Sequence, residues 1–294
     1  MRTVKQLSEL KKGSVLAIGT FDGIHIGHQR GLRTAVQLAQ EQKVLSAVLT
    51  FANHPLSVIA PAKMPKEIIS LKQKEKLLAD LGFDVLVELN FDTGFANVTA
   101  ADFINMVKDY SVVVGENFLF GKNLQGKGTD ISKATIKKMV EVGGETVSST
   151  RIRKNIVLGD MPTVQKLLGR NYVIEGKVIE GEQRGRILGY PTINLDFGNY
   201  EVPMYGAYVV KVWYKNSSYS AMANVGNNPT FGNTNHRLEV HILNFSQDIY
   251  GEDVAVEFLA KIRNEQKFAT AAELKAQLKK DKIYTCEYFA KVVS

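Results

Sequence analysis

The stretch SVLAIGTFDGIHIGH, residues 14–28, decides the fold of the first half of the chain. It opens with a short apolar run, Ser14 to Phe21, that closes in a glycine-containing turn. Leu32, Ala35, Val36 and Ala39 then recur at helical spacing within Gly27 to Gln42, and a second apolar run, VLSAVLTF, fills residues 44–51. Strand, helix and strand within about 40 residues read as a βαβ unit, and such a crossover implies a parallel sheet. Working outward, Val85 to Leu89 and Ser111 to Val114 read as further strands, and Lys72 to Leu81 and Ala100 to Asp109 as helices. Two short helices are expected between Ser148 and Gly169, because Asp160 followed by Pro162 is a helix-start signal. The domain boundary is placed there, giving segments 1–168 and 169–294.

Beyond that boundary the pattern changes. Tyr172 to Ile179, Tyr205 to Tyr214, Ser218 to Val225, Arg237 to Phe245 and Asp253 to Ile262 are β-rich and separated by turn residues. This spacing predicts a small antiparallel barrel or sandwich. An amphipathic helix ends the chain, with Leu274, Leu278, Cys286 and Phe289 roughly on one face, so Cys286 is expected in the core.

The composition fits two ordinary domains: 294 residues, 45% hydrophobic and 23% charged. A single cysteine excludes an internal disulfide and a four-cysteine zinc site, which suits a reducing compartment. No run reaches the roughly 18 apolar residues of a membrane helix. Residues 1–12 lack an apolar signal core, so a cytoplasmic location, away from membranes, is expected. The net charge of +7 is concentrated before residue 169, where 22 Lys and Arg face 16 Asp and Glu, a balance of +6. Nucleic acid is one partner such a balance suggests. However, the basic residues are scattered, and Lys72, Lys74 and Lys76 alternating around Glu75 read as a solvated helix face. A polyphosphate substrate would equally favour a locally positive domain.

His25 and His28 stand three apart at the mouth of a helix, which puts both imidazoles on one face beside free backbone N–H groups. A helix N-terminus attracts phosphate, imidazole adds a donor, and Gly23 and Gly27 let the backbone approach closely. The string resembles the HxGH signature of nucleotidylyltransferases. More narrowly, it resembles the adenylyltransferase half of bifunctional riboflavin kinase/FAD synthetases. TFANHP at 50–55, VGENFLFG at 114–121 and SSTRIR at 148–153 resemble further motifs of that family. The resemblance implies phosphate or nucleotide contacts at Gly19, Phe21, His25, His28, Ser149, Thr150 and Arg153. It makes His28 catalytic and puts flavin contacts at His54 and Asn117. Three features depart from the pattern: Leu119, Asn53 and the short segment of about 18 residues between Asp130 and Ser149. They leave open a riboflavin kinase whose first domain has lost adenylyl transfer.

In the second half, GEQRGRILGYPTINL spans residues 181–195. A glycine- and arginine-bearing loop can close over phosphates. Thr192 and Asn194, two apart on an extended chain, share a side, and their neutral oxygens suit Mg2+. Leu238, Val240 and Ile242 alternate with Glu239 and His241, a pattern that a solvent-facing Glu239 also satisfies. The loop resembles the riboflavin kinase motif GxxxGRxLGxPTxN. Gly206-Ala207-Tyr208, NVGNNPTF at 224–231, LEVH at 238–241, Tyr250-Gly251 and IRNEQKF at 262–268 continue the likeness. The resemblance implies nucleotide contacts at Gly185, Arg186, Gly189 and Thr192, metal contacts at Thr192 and Asn194, and a flavin contact at Arg263. It also makes Glu239 the acceptor of the riboflavin 5′-hydroxyl proton.

The whole pattern predicts an N-terminal parallel-sheet nucleotidylyltransferase-like domain and a C-terminal six-stranded antiparallel barrel with a terminal helix. The implied partners are riboflavin, FMN, ATP and Mg2+, with FAD as the final product and a monomer or weak homo-oligomer as the assembly. A flavin-sensing nucleic-acid binder is the alternative from another class, resting on the charge bias alone.

Overall fold

The computed structural model describes residues 1–181, 185, 188–227 and 236–293. It forms two compact units, Met1–Ser149 and Thr150–Ser294.

In chain order, the first unit holds β1 (Arg2–Val4), β2 (Val15–Ile18), α1 (Ile26–Gln42), β3 (Ser46–Phe51), α2 (Leu56–Ile59) and α3 (Leu71–Asp80). It continues with β4 (Val85–Leu89), α4 (Thr93–Ala96), α5 (Ala100–Val107), β5 (Ser111–Gly115), the paired β6 (Leu119–Phe120) and β7 (Gly126–Lys127), β8 (Ala134–Lys137), and the paired β9 (Glu141–Val142) and β10 (Glu145–Thr146). The main sheet runs β1-β4-β3-β2-β5-β8, and every pairing in it is parallel. Helices cover such a sheet, which is why β2 and β4 are buried along their whole length. From β2 the chain steps through β3 to β4 on one side and returns to β5 and β8 on the other. The strand order therefore reverses between β2 and β5. The crevice beyond the carboxyl ends of strands at such a reversal is where open α/β sheets bind ligands.

The segment from Asp130 to Ser149 is short but complete enough to supply β8, which pairs Val112–Gly115 with Ala134–Lys137 and closes that edge of the sheet. Asn53 has a structural role: its amide donates to the Phe91 carbonyl at 2.8 Å and accepts from the Phe91 N–H at 2.9 Å, stapling the ends of β3 and β4. Leu119 is exposed in the β6–β7 pair.

The second unit begins within α6 (Ser149–Leu158), followed by α7 (Met161–Leu168). Asp160 caps α7 by accepting from the Thr163 N–H at 3.1 Å, and Gly169 ends it in a left-handed conformation. The strands β11 (Tyr172–Ile179), β12 (Ile193–Asp196), β13 (Gly206–Tyr214), β14 (Ser217–Asn227), β15 (His236–Ile242) and β16 (Asp253–Asn264) close a barrel in the order β11-β12-β15-β14-β13-β16. All its pairings are antiparallel, and closure removes the free edges. Tyr172, Tyr208 and Phe258 are among its fully buried side chains.

The chain ends in α8 (Ala271–Val293). Here the expectation for Cys286 is wrong, because the thiol is exposed. The buried positions of α8 are Asp281 and Thr285, with Leu274 and Leu278 partly buried in the same stripe. Asp281 is buried because Arg263 on β16 meets it with Nε at 3.0 Å and Nη2 at 2.9 Å, and Thr285 because its hydroxyl donates to the Asp281 carbonyl. This polar stripe rotates the packed face away from Cys286.

Candidate functional sites

The loop leaving β2 builds the first site at the sheet's reversal. Phe21 takes a left-handed backbone (φ 47°) and is buried. After a single turn over Asp22–Ile24, His25 caps α1, its Nδ1 accepting the His28 N–H at 3.2 Å. An accepting Nδ1 places the proton of neutral His25 on Nε2, which becomes a donor. The two imidazoles stack with centroids 3.6 Å apart, and Phe21 meets His28 edge-on at 5.5 Å. A Cβ on Gly27 would lie 3.1 Å from the His25 ring, so glycine is what leaves room for the stack. Gly19 bonds to β3 through its N–H, to the Leu49 carbonyl at 3.1 Å.

His28 Nδ1 is buried and has no hydrogen-bond partner among the described residues. Burial first, then the charges of His25 and Lys74, hold His28 well below the usual histidine range. It is therefore a neutral imidazole at physiological pH. Ser149, which opens α6, donates to the Asp22 carbonyl at 2.9 Å and so joins this loop. Thr150 and Arg153 follow it on α6, in the second unit. His54 Nδ1 accepts the Leu56 N–H at 3.1 Å and caps the turn into α2. Asn117 is exposed just beyond β5.

Lys74 is a residue whose setting the sequence misread. Lys72 and Lys76 are exposed, as expected of a solvated face, but Lys74 is not. Its ammonium donates to the Thr20 carbonyl at 2.9 Å. Burial lowers its pKa, against the raising effect of Asp22, Glu67 and Glu88.

The barrel carries the second site. Asn194 on β12 lies directly opposite Glu239 on β15, and Thr192 immediately precedes the strand. Asn194 is buried, and a Cβ on Gly181 would overlap its amide, so glycine admits the side chain. Arg237, two residues before Glu239, was not anticipated. Its Nε donates to Asn194 Oδ1 at 3.1 Å and its Nη2 pairs with Glu239 Oε1. The Asn194 and Glu239 oxygens thus already draw one cation. His241 is buried rather than solvated, and its Nδ1 lies 2.7 Å from the Pro191 carbonyl, which fixes the start of β12.

Gly185 accepts the Tyr190 N–H at 2.8 Å, and Gly189 is exposed with a left-handed backbone. Arg186 and residues 228–231 lie outside the described residues. Thr192 also lines an open cavity of about 490 Å³, together with Val240, Ile242, Phe245 and Tyr250. Arg263, expected at the flavin, is engaged by Asp281, by the Asn264 carbonyl at 3.2 Å and by the face of Phe268.

Comparison with known proteins matches residues 7–155 to the FAD synthetase family and residues 168–289 to the riboflavin kinase family. The bifunctional riboflavin kinase/FMN adenylyltransferase of Bacillus subtilis is 36% identical over 97% of this chain and 95% of its own. The protein of the same description from Escherichia coli K12 is 33% identical over 98% and 97%. A crystal structure from Streptococcus pneumoniae, described as a macrolide-efflux protein, superposes with a TM-score of 0.88 at 35% identity, covering 96% of this chain and 97% of that one. Among the described residues no helix is long and apolar enough to cross a membrane. A chain with an FAD synthetase domain followed by a riboflavin kinase domain, similar over nearly its full length to enzymes carrying both, belongs to the bifunctional riboflavin kinase/FMN adenylyltransferase family.

Proposed function

We propose that the barrel half phosphorylates riboflavin to FMN, that the parallel-sheet half adenylylates FMN to FAD, and that ATP is the donor in both steps. The observation that carries this reading is the placement of Asn194 directly across the ladder from Glu239, with Arg237 bridging the two side chains. We divide the two functions at residue 168, at the end of α7, where the region matched to the riboflavin kinase family begins.

For phosphoryl transfer the protein mainly positions groups and neutralises charge, because the transition state is loose. Thr192 and Asn194 offer the hard, neutral oxygens that suit Mg2+, and the guanidinium of Arg237 at the Asn194 amide oxygen is consistent with that role. When bound, Mg2+ would neutralise ATP oxygens there. The cavity beside Thr192, with Gly185 and Gly189 before it in the chain, is the proposed place of the nucleotide, and Arg186 is a further proposed nucleotide contact. Glu239 orients the riboflavin 5′-hydroxyl and takes its proton late, since a carboxylate is too weak a base to remove it beforehand. Arg237 pairs with the Glu239 carboxylate and fixes its orientation.

In the first half the FMN phosphate attacks the α-phosphorus of ATP and pyrophosphate leaves. His25 donates through Nε2, and the neutral His28 adds a hydrogen bond without a charge of its own. Gly19 and Phe21 shape the loop, and Ser149, Thr150 and Arg153 bind developing phosphate charge. His54 and Asn117 are the proposed flavin contacts of this half, and Arg263 is the one proposed for the barrel half.

Incubation with riboflavin, ATP and Mg2+, followed by chromatographic separation of riboflavin, FMN and FAD, tests the reading. FAD supports both sites, FMN alone restricts the activity to the barrel, and neither product refutes it.

A further inference from the structure

Lys74 lies one turn into α3, and the start of that helix is fixed twice over. Ser70 and Gln73 cap each other reciprocally at 3.0 Å, and the buried Ile68 packs where a Cβ on Gly23 would lie, within 3.1 Å. Residues 68–74 are thereby held against the loop that carries His25 and His28. The Thr20 carbonyl of that loop accepts two hydrogen bonds, from Lys74 Nζ at 2.9 Å and from the fully buried Thr50 hydroxyl at 3.2 Å. An ammonium has three donors. Among the described residues that of Lys74 has one acceptor.

The surrounding charges make this cation unusual. Asp22, Glu67 and Glu88 all favour it, yet burial outweighs them and its pKa is still lowered. Glu88 already has a partner, Lys5 Nζ, at 2.5 Å. The ammonium is thus held beside the loop incompletely compensated, a setting that an incoming anion relieves. His28 adds no positive charge to the same place, because it is neutral.

We infer that Lys74 is a further substrate-binding residue of the adenylyl-transfer site, its two free donors taking oxygens of a phosphate group delivered by the nucleotide or by FMN. This rests on the adenylyltransferase reading of the first half. Lys72 and Lys76, exposed on the same helix, serve as internal controls.

The test is competitive acetylation of the wild-type full chain with acetic anhydride, read lysine by lysine by mass spectrometry, with and without pyrophosphate or FMN. At about ten times its Kd, a ligand that occupies Lys74 lowers that residue's reactivity roughly tenfold and leaves Lys72 and Lys76 unchanged. Protection by pyrophosphate alone assigns the residue to the nucleotide, and protection by FMN alone assigns it to the flavin phosphate. Protection by neither overturns the inference. Lys74→Met provides the second measurement. Its pyrophosphate Kd should rise about 10- to 100-fold, with riboflavin phosphorylation unchanged. An unchanged Kd in a folded variant also overturns it. FAD formation from FMN and ATP by the wild type, measured alongside, separates the two claims. FAD without protection of Lys74 defeats the inference alone. Protection without FAD keeps Lys74 as a phosphate site and defeats the adenylyltransferase reading.

Discussion

Replacing Glu239 with Gln keeps the side chain's size and reach but removes its charge and most of its proton affinity. The structure allows the cost of folding to be separated from the cost in catalysis. Glu239 is 23% exposed and its partner Arg237 is 21% exposed, so the ion pair they form is partly screened. Its loss should cost on the order of 1 kcal/mol of stability. A protein of ordinary stability, about 5 kcal/mol or more, stays over 99% folded after such a loss. The catalytic cost is larger. A general base contributes about 10²- to 10⁴-fold, so kcat for FMN formation should fall by at least about tenfold.

Riboflavin binding should change little, because the lost interaction develops mainly in the transition state. A residual rate is expected, since the amide can still orient the hydroxyl. Steady-state kinetics at saturating Mg·ATP measure kcat, fluorescence titration measures riboflavin affinity, and FAD synthesis from supplied FMN reports on the other half. An unchanged kcat would refute the assignment and make Glu239 an ordinary strand residue, leaving the kinase site to rest on Thr192 and Asn194.

Other consequences follow from the geometry. Thr192→Ala or Asn194→Ala should abolish most FMN formation while FAD formation from FMN persists, and equal loss of both activities would show that the sites are not separable. His28 is neutral in the folded protein at a pH where the unfolded chain, near pKa 6.5, begins to bind a proton. Its contribution is therefore complete above pH 6.5 and is lost as pH falls from there toward its lower folded value, by up to about 1.4 kcal/mol per pH unit. In His28→Gln this part of the decline should be absent from urea titrations repeated across the range, and an identical slope would contradict the buried neutral imidazole. Asp281→Ala would leave the guanidinium of Arg263, only 14% exposed, without its carboxylate. The expected loss is about 3–5 kcal/mol, read as a lower urea midpoint for the barrel.

Much of this architecture was legible because its signals are local. The βαβ pattern around residues 14–51 follows from apolar periodicity, and the strand over Tyr172–Ile179 has the expected bounds. β1 was not anticipated because three residues carry too little pattern, nor β8 because Ala134–Lys137 is only partly buried along its length. Cys286 was misplaced for a different reason. Hydrophobic periodicity assumes that the packed face of a helix is apolar, whereas α8 packs through Asp281 and Thr285. Only the arrival of Arg263 from a distant strand makes that burial tolerable, and no local pattern contains it.

The same distinction governs the sites. His25, His28, Thr192 and Asn194 stand in short strings where spacing alone puts neighbouring side chains on one face. Arg237 was within reach of such reasoning, because period-two alternation puts residues 237 and 239 on one side of β15, and the pairing with Asn194 follows once the ladder is known. Lys74 was not within reach. Its helix presents three lysines that look alike in sequence, and what singles one out is a carbonyl 54 residues away. A lysine facing water costs nothing to place, whereas an incompletely compensated, partly buried lysine costs stability that a phosphate can offset when it binds. The charge excess of the first half therefore has two meanings: a scattered surface charge that carries little functional information, and one ammonium held beside a neutral His28.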